Sequence, residues 1–465
     1  MLGRQLGAAL LVGLLASMPF GSTAFAQLTA LGGSTPLIFT LFVVVLLLGM
    51  LWQDGILGVF FAVLQRNWEA WLVLGLIVYA IAGASLLPNL FAGMTSAFIP
   101  ILGAITEVPL APSTSNITQT AYFTLSCLVY FALSAMLARG GVLPTLRLAF
   151  LACCTIHVGL GMLDLAGKFA GLGDILAPIR TASYANMTEA EEGGFWRIVG
   201  GYPEASAYAL GTLYCLGFSV TLWRRTGSPL SLVLTLALAV LLVMSTSTTA
   251  YVGGAIASVP VLAAVVIAAL RGRSGRRDLV MLAIAVAAVL CLTLVYLVNE
   301  RTFDPFVDLL NRMVFEKASS DSGKERAYWN AKSMQAFFDT YGIGIGLGSS
   351  RSSSWVISVI SQLGVVGAAM VAVLVGAIAS ALHPATLAGL DREDAGTIAS
   401  ICGCALTHLV ALSVSAGSAD PGVMVFIALA AVGYGRRLAQ STRRRVAEPA
   451  EAARAGASGA GAVPA

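Results

Sequence analysis

Long, nearly unbroken apolar runs alternate with short polar stretches along most of the chain. Such runs lie near 6–26, 36–52, 70–88, 119–138, 143–163, 204–222, 229–247, 250–270, 279–298, 355–381, 396–415 and 421–435. A helix rises about 1.5 Å per residue and a bilayer core is about 30 Å thick, so about 20 apolar residues make a crossing. The pattern predicts an all-α, polytopic integral membrane protein with about twelve transmembrane helices. Gly and Ser recur within the runs, as expected where helices pack closely in lipid. The run from Gly55 to Leu64 is too short to span and is expected at the membrane interface.

Composition supports this pattern. Apolar residues make up 58% of the 465 and charged residues only 11%, and the mean hydropathy is +0.86. Soluble domains hold about 45–50% and about 25% respectively. A soluble enzyme, a disordered protein and a collagen-like fibre are therefore excluded. The net charge of +4 is mild and gives no reason to expect a nucleic-acid partner.

The placement of charge says more. With the N-terminus inside, the short inner loops hold Arg4, Arg66, Arg139, Arg147, Arg224, Arg225, Arg271, Arg276, Arg277 and Arg392, and Arg436 and Arg437 open the inner tail. Short basic loops stay cytoplasmic, so both termini are expected inside. Two long outer loops remain, at about 164–203 and 299–354, the second just before the third-last helix. All four lysines fall in them, which the charge rule does not explain.

The expected organisation is a first helix or signal peptide at 1–26, a membrane domain over 27–440 and a disordered tail over 441–465. Ala24-Phe25-Ala26 fits a cleavage sequence, and the tail is rich in Ala, Gly and Pro. The seven cysteines all lie in apolar runs and read as small packing residues, with no disulfide framework.

The candidate chemistry is in the two outer loops. Glu204 follows Pro203 where an apolar run begins. It reads either as a helix N-cap or as a carboxylate at the membrane surface facing a polar cavity. The second loop ends Gly342-Ile343-Gly344-Ile345-Gly346-Leu347-Gly348-Ser349-Ser350-Arg351, followed by three serines and Trp355. The alternating glycines suggest a backbone that approaches a ligand closely. Backbone amides at the next helix start, with the Arg351 guanidinium, would hold an anion such as pyrophosphate. Asn116-Ile117-Thr118 fits a glycosylation sequon by chance-level spacing. His157 and His408 read as hydrogen-bonded helix contacts and His383 as structural. No protein-bound metal or other cofactor is expected.

At these two loops the sequence resembles the bacterial O-antigen ligase and Wzy-type polysaccharide polymerase superfamily. Arg197-Ile198-Val199-Gly200-Gly201-Tyr202-Pro203-Glu204-Ala205-Ser206 is similar to the family's R-x-x-G-x-x-x-E-x-S stretch. Arg326-Ala327-Tyr328-Trp329, the glycine segment, Arg351 and Trp355 lead into Gln362-Leu363-Gly364-Val365-Val366-Gly367, similar to the family's E-L-G-x-x-G continuation.

The resemblance implies a membrane glycosyltransferase of GT-C architecture in the bacterial inner membrane. Its substrate would be an oligosaccharide carried on undecaprenyl pyrophosphate at the outer face. Arg197, Arg326 and Arg351 would bind the pyrophosphate, and a chain-length regulator and a flippase would be partners. Ligases of the family carry a histidine in the loop before this helix. None is present here, which favours a polymerase of exopolysaccharide or O-antigen repeats.

Glu204 is the candidate general base, with Arg351 neutralising the leaving group, inversion at the anomeric carbon and no metal. Ligase-type transfer to another acceptor is the nearest alternative. A lipid-linked sugar permease or flippase, or a non-catalytic scaffold, is a more distant one, since the spans are poor in charge.

Overall fold

The computed structural model describes residues 2–28, 34–52, 55–101, 104–183, 187, 191–192, 195–272, 274–298, 311 and 319–459. The helices are α1 (Leu2–Ser17), α2 (Ile38–Leu51), α3 (Ile56–Arg66), α4 (Trp68–Leu90), α5 (Thr114–Ala138), α6 (Leu143–Phe169) and α7 (Ala205–Thr226). They continue with α8 (Pro229–Met244), α9 (Thr248–Leu270), α10 (Arg276–Val298), α11 (Asp321–Asp339), α12 (Trp355–Ser380), α13 (Arg392–Ser415) and α14 (Val423–Gly459).

Each of the twelve apolar runs carries one of these helices. Among the described residues, eight are long and apolar enough to cross a membrane: α4, α5, α6, α7, α9, α12, α13 and the Val423–Arg444 part of α14. This is the build of a multi-pass membrane protein. α1 and α8 are shorter, at 16 residues each.

The spans are not equivalent. In α13, 72% of the apolar window is buried inside the protein, against 11% in α9. α13 is therefore central, packed on α7, α14, α12 and α9, while α9 turns most of its surface outward. The core gathers Phe123, Tyr130, Phe150, Phe218 and Phe426 with small residues between them. Phe150 stacks on Phe218 at 4.9 Å. Gly217 of α7 lies so close to Thr407 and the Gly403 carbonyl of α13 that a Cβ would collide, which is the small-residue packing that lipid favours.

The arginines expected on one face do gather at one end of the bundle. Arg147 pairs with Glu393 at 2.6 Å and Arg224 with Asp278 at 2.5 Å. The Arg392 Nε donates to the Arg225 carbonyl at 2.8 Å, and Arg436 meets Glu69.

The fold is mostly helical, as expected, with three additional features. First, Ser96–Ile101 (β1) and Ala104–Pro109 (β2) form an antiparallel hairpin, and Glu191–Glu192 (β3) pairs with Phe195–Trp196 (β4). Second, α14 runs from Val423 to Gly459. Its Ala, Arg and Glu residues are strong helix formers, and they extend a helix already nucleated in the core. Third, the loop over 299–354 contains a 19-residue helix, α11. α11 lies on β1 through Tyr328 and Trp329, whose rings meet Phe98 at 5.9 and 6.2 Å.

Candidate functional site

The segments that hold the expected site residues meet at the end of the bundle opposite the arginine cluster. The first is pinned by a buried charge network. The Asp164 carboxylate, in the last turns of α6, accepts from the amides of Val199 and Gly200 at 2.8 and 3.2 Å. It also pairs with Lys168 at 3.0 Å and Arg180 at 3.2 Å. Arg180 bonds Asp174 and the Gly200 carbonyl as well. Asp164, Lys168, Asp174 and Arg180 of the first loop thus hold the backbone of the first motif. Gly200 has a φ of 54°, and a Cβ there would enter the Tyr208 ring.

Glu204 follows at the N-cap position of α7, but its side chain makes no cap bond. It accepts the Ser206 hydroxyl at 2.6 Å instead. Its charge acts on Arg351 from the other loop. Arg351 keeps accessible surface, yet burial by surrounding protein draws its pKa below the ordinary value, with Glu204 acting in the opposite sense. The guanidinium rests on Gly417, where a Cβ would come within 2.9 Å of Nε. The Arg351 amide donates to the Phe98 carbonyl at 2.9 Å. Four residues on, α12 starts at Trp355 with no side-chain cap, which leaves its first amides able to receive an anion.

Glu204 and Arg351 thus lie within electrostatic range of each other, without a direct ion pair. The Arg197 carbonyl accepts from Lys168 at 2.6 Å, and its charge reaches Tyr251 at the head of α9. Arg326 is half-buried on α11, and no described contact links it to the Glu204–Arg351 pair.

The glycine segment does not serve as a ligand cradle. Gly344, Gly346 and Gly348 have φ of 93°, 88° and 80°, and each is pressed against the chain's own backbone. α12 is interrupted at Gly364 (φ 62°, ψ −169°). The freed Ser361 and Gln362 carbonyls accept from the amides of Ile345 and Gly346, both at 3.0 Å. The Gln362 side chain completes the clasp. Its Oε1 accepts from the Gly348 amide at 2.8 Å and its Nε2 donates to the Ser350 carbonyl at 2.7 Å. Most of these amides are consumed inside the protein, so of the expected anion site only Arg351 and the α12 start remain.

Asn116 is buried as well. Its Nδ2 donates to the Leu347 carbonyl and to Ser349 Oγ, both at 2.8 Å, which leaves no room for a glycan. His157 pairs with Thr212 at 2.8 Å and stacks on Tyr208.

Sequence reading missed Asp420. It lies in the short turn between α13 and α14, accepting from the Gly422 amide at 2.9 Å and from Ser126 Oγ at 3.3 Å. Burial pushes its carboxyl up to about 6. With His408 it lines a cavity of ≈ 740 Å³ between α2, α5 and α13, edged by β1 and the 418–423 turn. No signal marks it in the sequence, where it is a single acid between two apolar runs. Among the described residues, no three His, Cys, Asp or Glu side chains converge as a metal site.

Comparison with models of known protein families and with curated proteins finds no match to this chain.

Proposed function

We propose that the protein is a membrane glycosyltransferase that polymerises oligosaccharide repeats carried on undecaprenyl pyrophosphate, at the outer face of a bacterial inner membrane. The observation that carries the reading is that Arg351 and Glu204, from two separate segments, lie within electrostatic range of each other where α12 starts without a side-chain cap. A sugar pyrophosphate already holds its leaving group. An enzyme needs to neutralise the departing charge and orient an attacking hydroxyl. Arg351, with Arg197 and Arg326 from the neighbouring segments, supplies the first. Glu204 is either the base or the group that positions Arg351.

Twelve spans in a GT-C arrangement, with both termini cytoplasmic, complete the proposal. The basic end of the bundle then faces the cytoplasm and the candidate site faces outward. A chain-length regulator and a flippase are the expected partners.

The test is mass analysis of lipid-linked sugars in cells lacking the protein. Single repeat units accumulating on the outer face, with no polymer, are expected. Accumulated long lipid-linked polymer would reassign the protein as a ligase, and single units trapped on the inner face as a flippase. An unchanged pool would overturn the enzyme reading.

A further inference from the structure

We propose that the cavity beside Asp420 seats the neutral, hydroxyl-bearing acceptor sugar, and that the Asp420 carboxylate takes the proton from its attacking hydroxyl; this rests on the glycosyltransferase reading above. The cavity's ≈ 740 Å³ lies within the range of small-ligand pockets, about 300–1,000 Å³. Its wall is rich in hydroxyls, among them Thr40, Ser115, Thr118 and Tyr122, interspersed with apolar faces such as Phe39 and Leu412. Hydroxyl donors beside apolar patches match a sugar ring, with its polar rim and C–H faces.

Among the described lining residues, Asp420 is the one carboxylate and there is no lysine or arginine. A diphosphate has no counter-charge there and would face a carboxylate, so the cavity does not suit the donor's anionic group. The positive charge lies across the 416–422 turn, where the Arg351 guanidinium rests on Gly417. Asp420 is three residues further along that turn, which puts donor and acceptor sides in reach of one another. Glu204 accepts from Ser206, acts electrostatically on Arg351 and is not among the described residues lining the cavity.

In the step proposed, the acceptor hydroxyl oxygen forms a bond to the donor's anomeric carbon. The bond from that carbon to the pyrophosphate oxygen breaks, and lipid pyrophosphate leaves with the electron pair. The hydroxyl proton passes to Asp420 and is later returned to water. Asp420 shares the cavity wall with His408 of α13 and Tyr122 of α5 and acts electrostatically on Cys127 of α5, while Arg351 lies against Gly417 of the same turn. Among the described residues His408 Nδ1 has no hydrogen-bond partner.

The experiment uses the full chain reconstituted in vesicles, with lipid-linked repeat units extracted from cells lacking the protein. Asp420→Asn is expected to cut polymer formation about 10²–10⁴-fold, the usual contribution of a general base, while binding of the lipid-linked unit persists. The wild-type rate should fall about tenfold per pH unit below about pH 6, and Asp420→Glu should keep activity with a displaced profile. Because Asp420 also holds Ser126 and Gly422, a second variant separates folding from chemistry. Thr118→Trp fills the cavity and is expected to raise the acceptor's KM several-fold with little change in kcat. Normal polymer from Asp420→Asn, or an unchanged KM in Thr118→Trp, overturns the inference and leaves the enzyme reading standing. A wild-type chain that forms no polymer from these units overturns both.

Discussion

The Arg351 guanidinium lies in the field of the Glu204 carboxylate, although five described helices, α7 to α11, separate the two residues along the chain. Residues that act as one unit show non-additive losses. Arg351→Ala should reduce polymer formation about 10²–10³-fold, the effect of removing one charge-stabilising donor. Arg351→Lys should recover only part of it, because an ammonium cannot grip a phosphate bidentately. Glu204→Gln should cost less, and the double variant no more than Arg351→Ala alone. Rates measured on purified protein check this, and additive losses would separate the two residues.

Gln362 joins a broken helix to the glycine segment through both ends of its amide. Gln362→Leu leaves a buried amide and a buried carbonyl without partners, at about 1–3 kcal/mol each. Gly364→Ala places a Cβ against the Ile343 carbonyl in a backbone region open to glycine alone. Both variants should lower the thermal midpoint in detergent, Gly364→Ala at least as much as Gln362→Leu. A midpoint within a degree of wild type would remove the clasp as a source of stability.

Asp164 holds two buried cations and two backbone amides. Removing one partner of a buried pair costs about 3–5 kcal/mol, because the other charge stays behind. Asp164→Ala should therefore abolish most folded protein, read as monodisperse yield after extraction. Asp164→Asn combined with Arg180→Met should recover more than Asp164→Asn alone.

Glu107 on β2 accepts the Tyr328 hydroxyl at 2.7 Å and faces Lys332 at 3.6 Å, tying the hairpin to α11. Hydrogen bonds from Ser96 and Tyr328 draw its carboxyl below the usual range. The sign follows from that direction. A depressed carboxylate stabilises the folded state above its unfolded pKa, and this contribution is lost as pH falls through the folded value. The contact is exposed, so the effect is small. Amide exchange in α11 should quicken as pH falls below about 4.5, the ordinary glutamate range, once corrected for intrinsic rates. Glu107→Gln should remove that dependence.

The helices were legible because lipid demands long apolar runs, and all twelve runs carry one. The hairpin was not, because β1 gains its strand pairing from β2, and Phe98 its ring neighbours from α11. The two motifs were visible as patterns, but part of their meaning was misread. Gly344, Gly346 and Gly348 suggested a mobile ligand loop, whereas they let two stretches of backbone touch. Asp164, Lys168 and Arg180 looked like scattered loop charge until α6 and the first motif were side by side. Asp420 carries no local signature, since its setting is created by α5, α13 and the turn together.

The interruption of α12 at Gly364 has a practical corollary. Residues 344–350 occupy the gap it opens, so this stretch is interior wall although it reads as an external loop. It should tolerate insertion as poorly as a buried strand would. A labelling cysteine belongs instead at exposed positions of α11 such as Lys324 or Glu325.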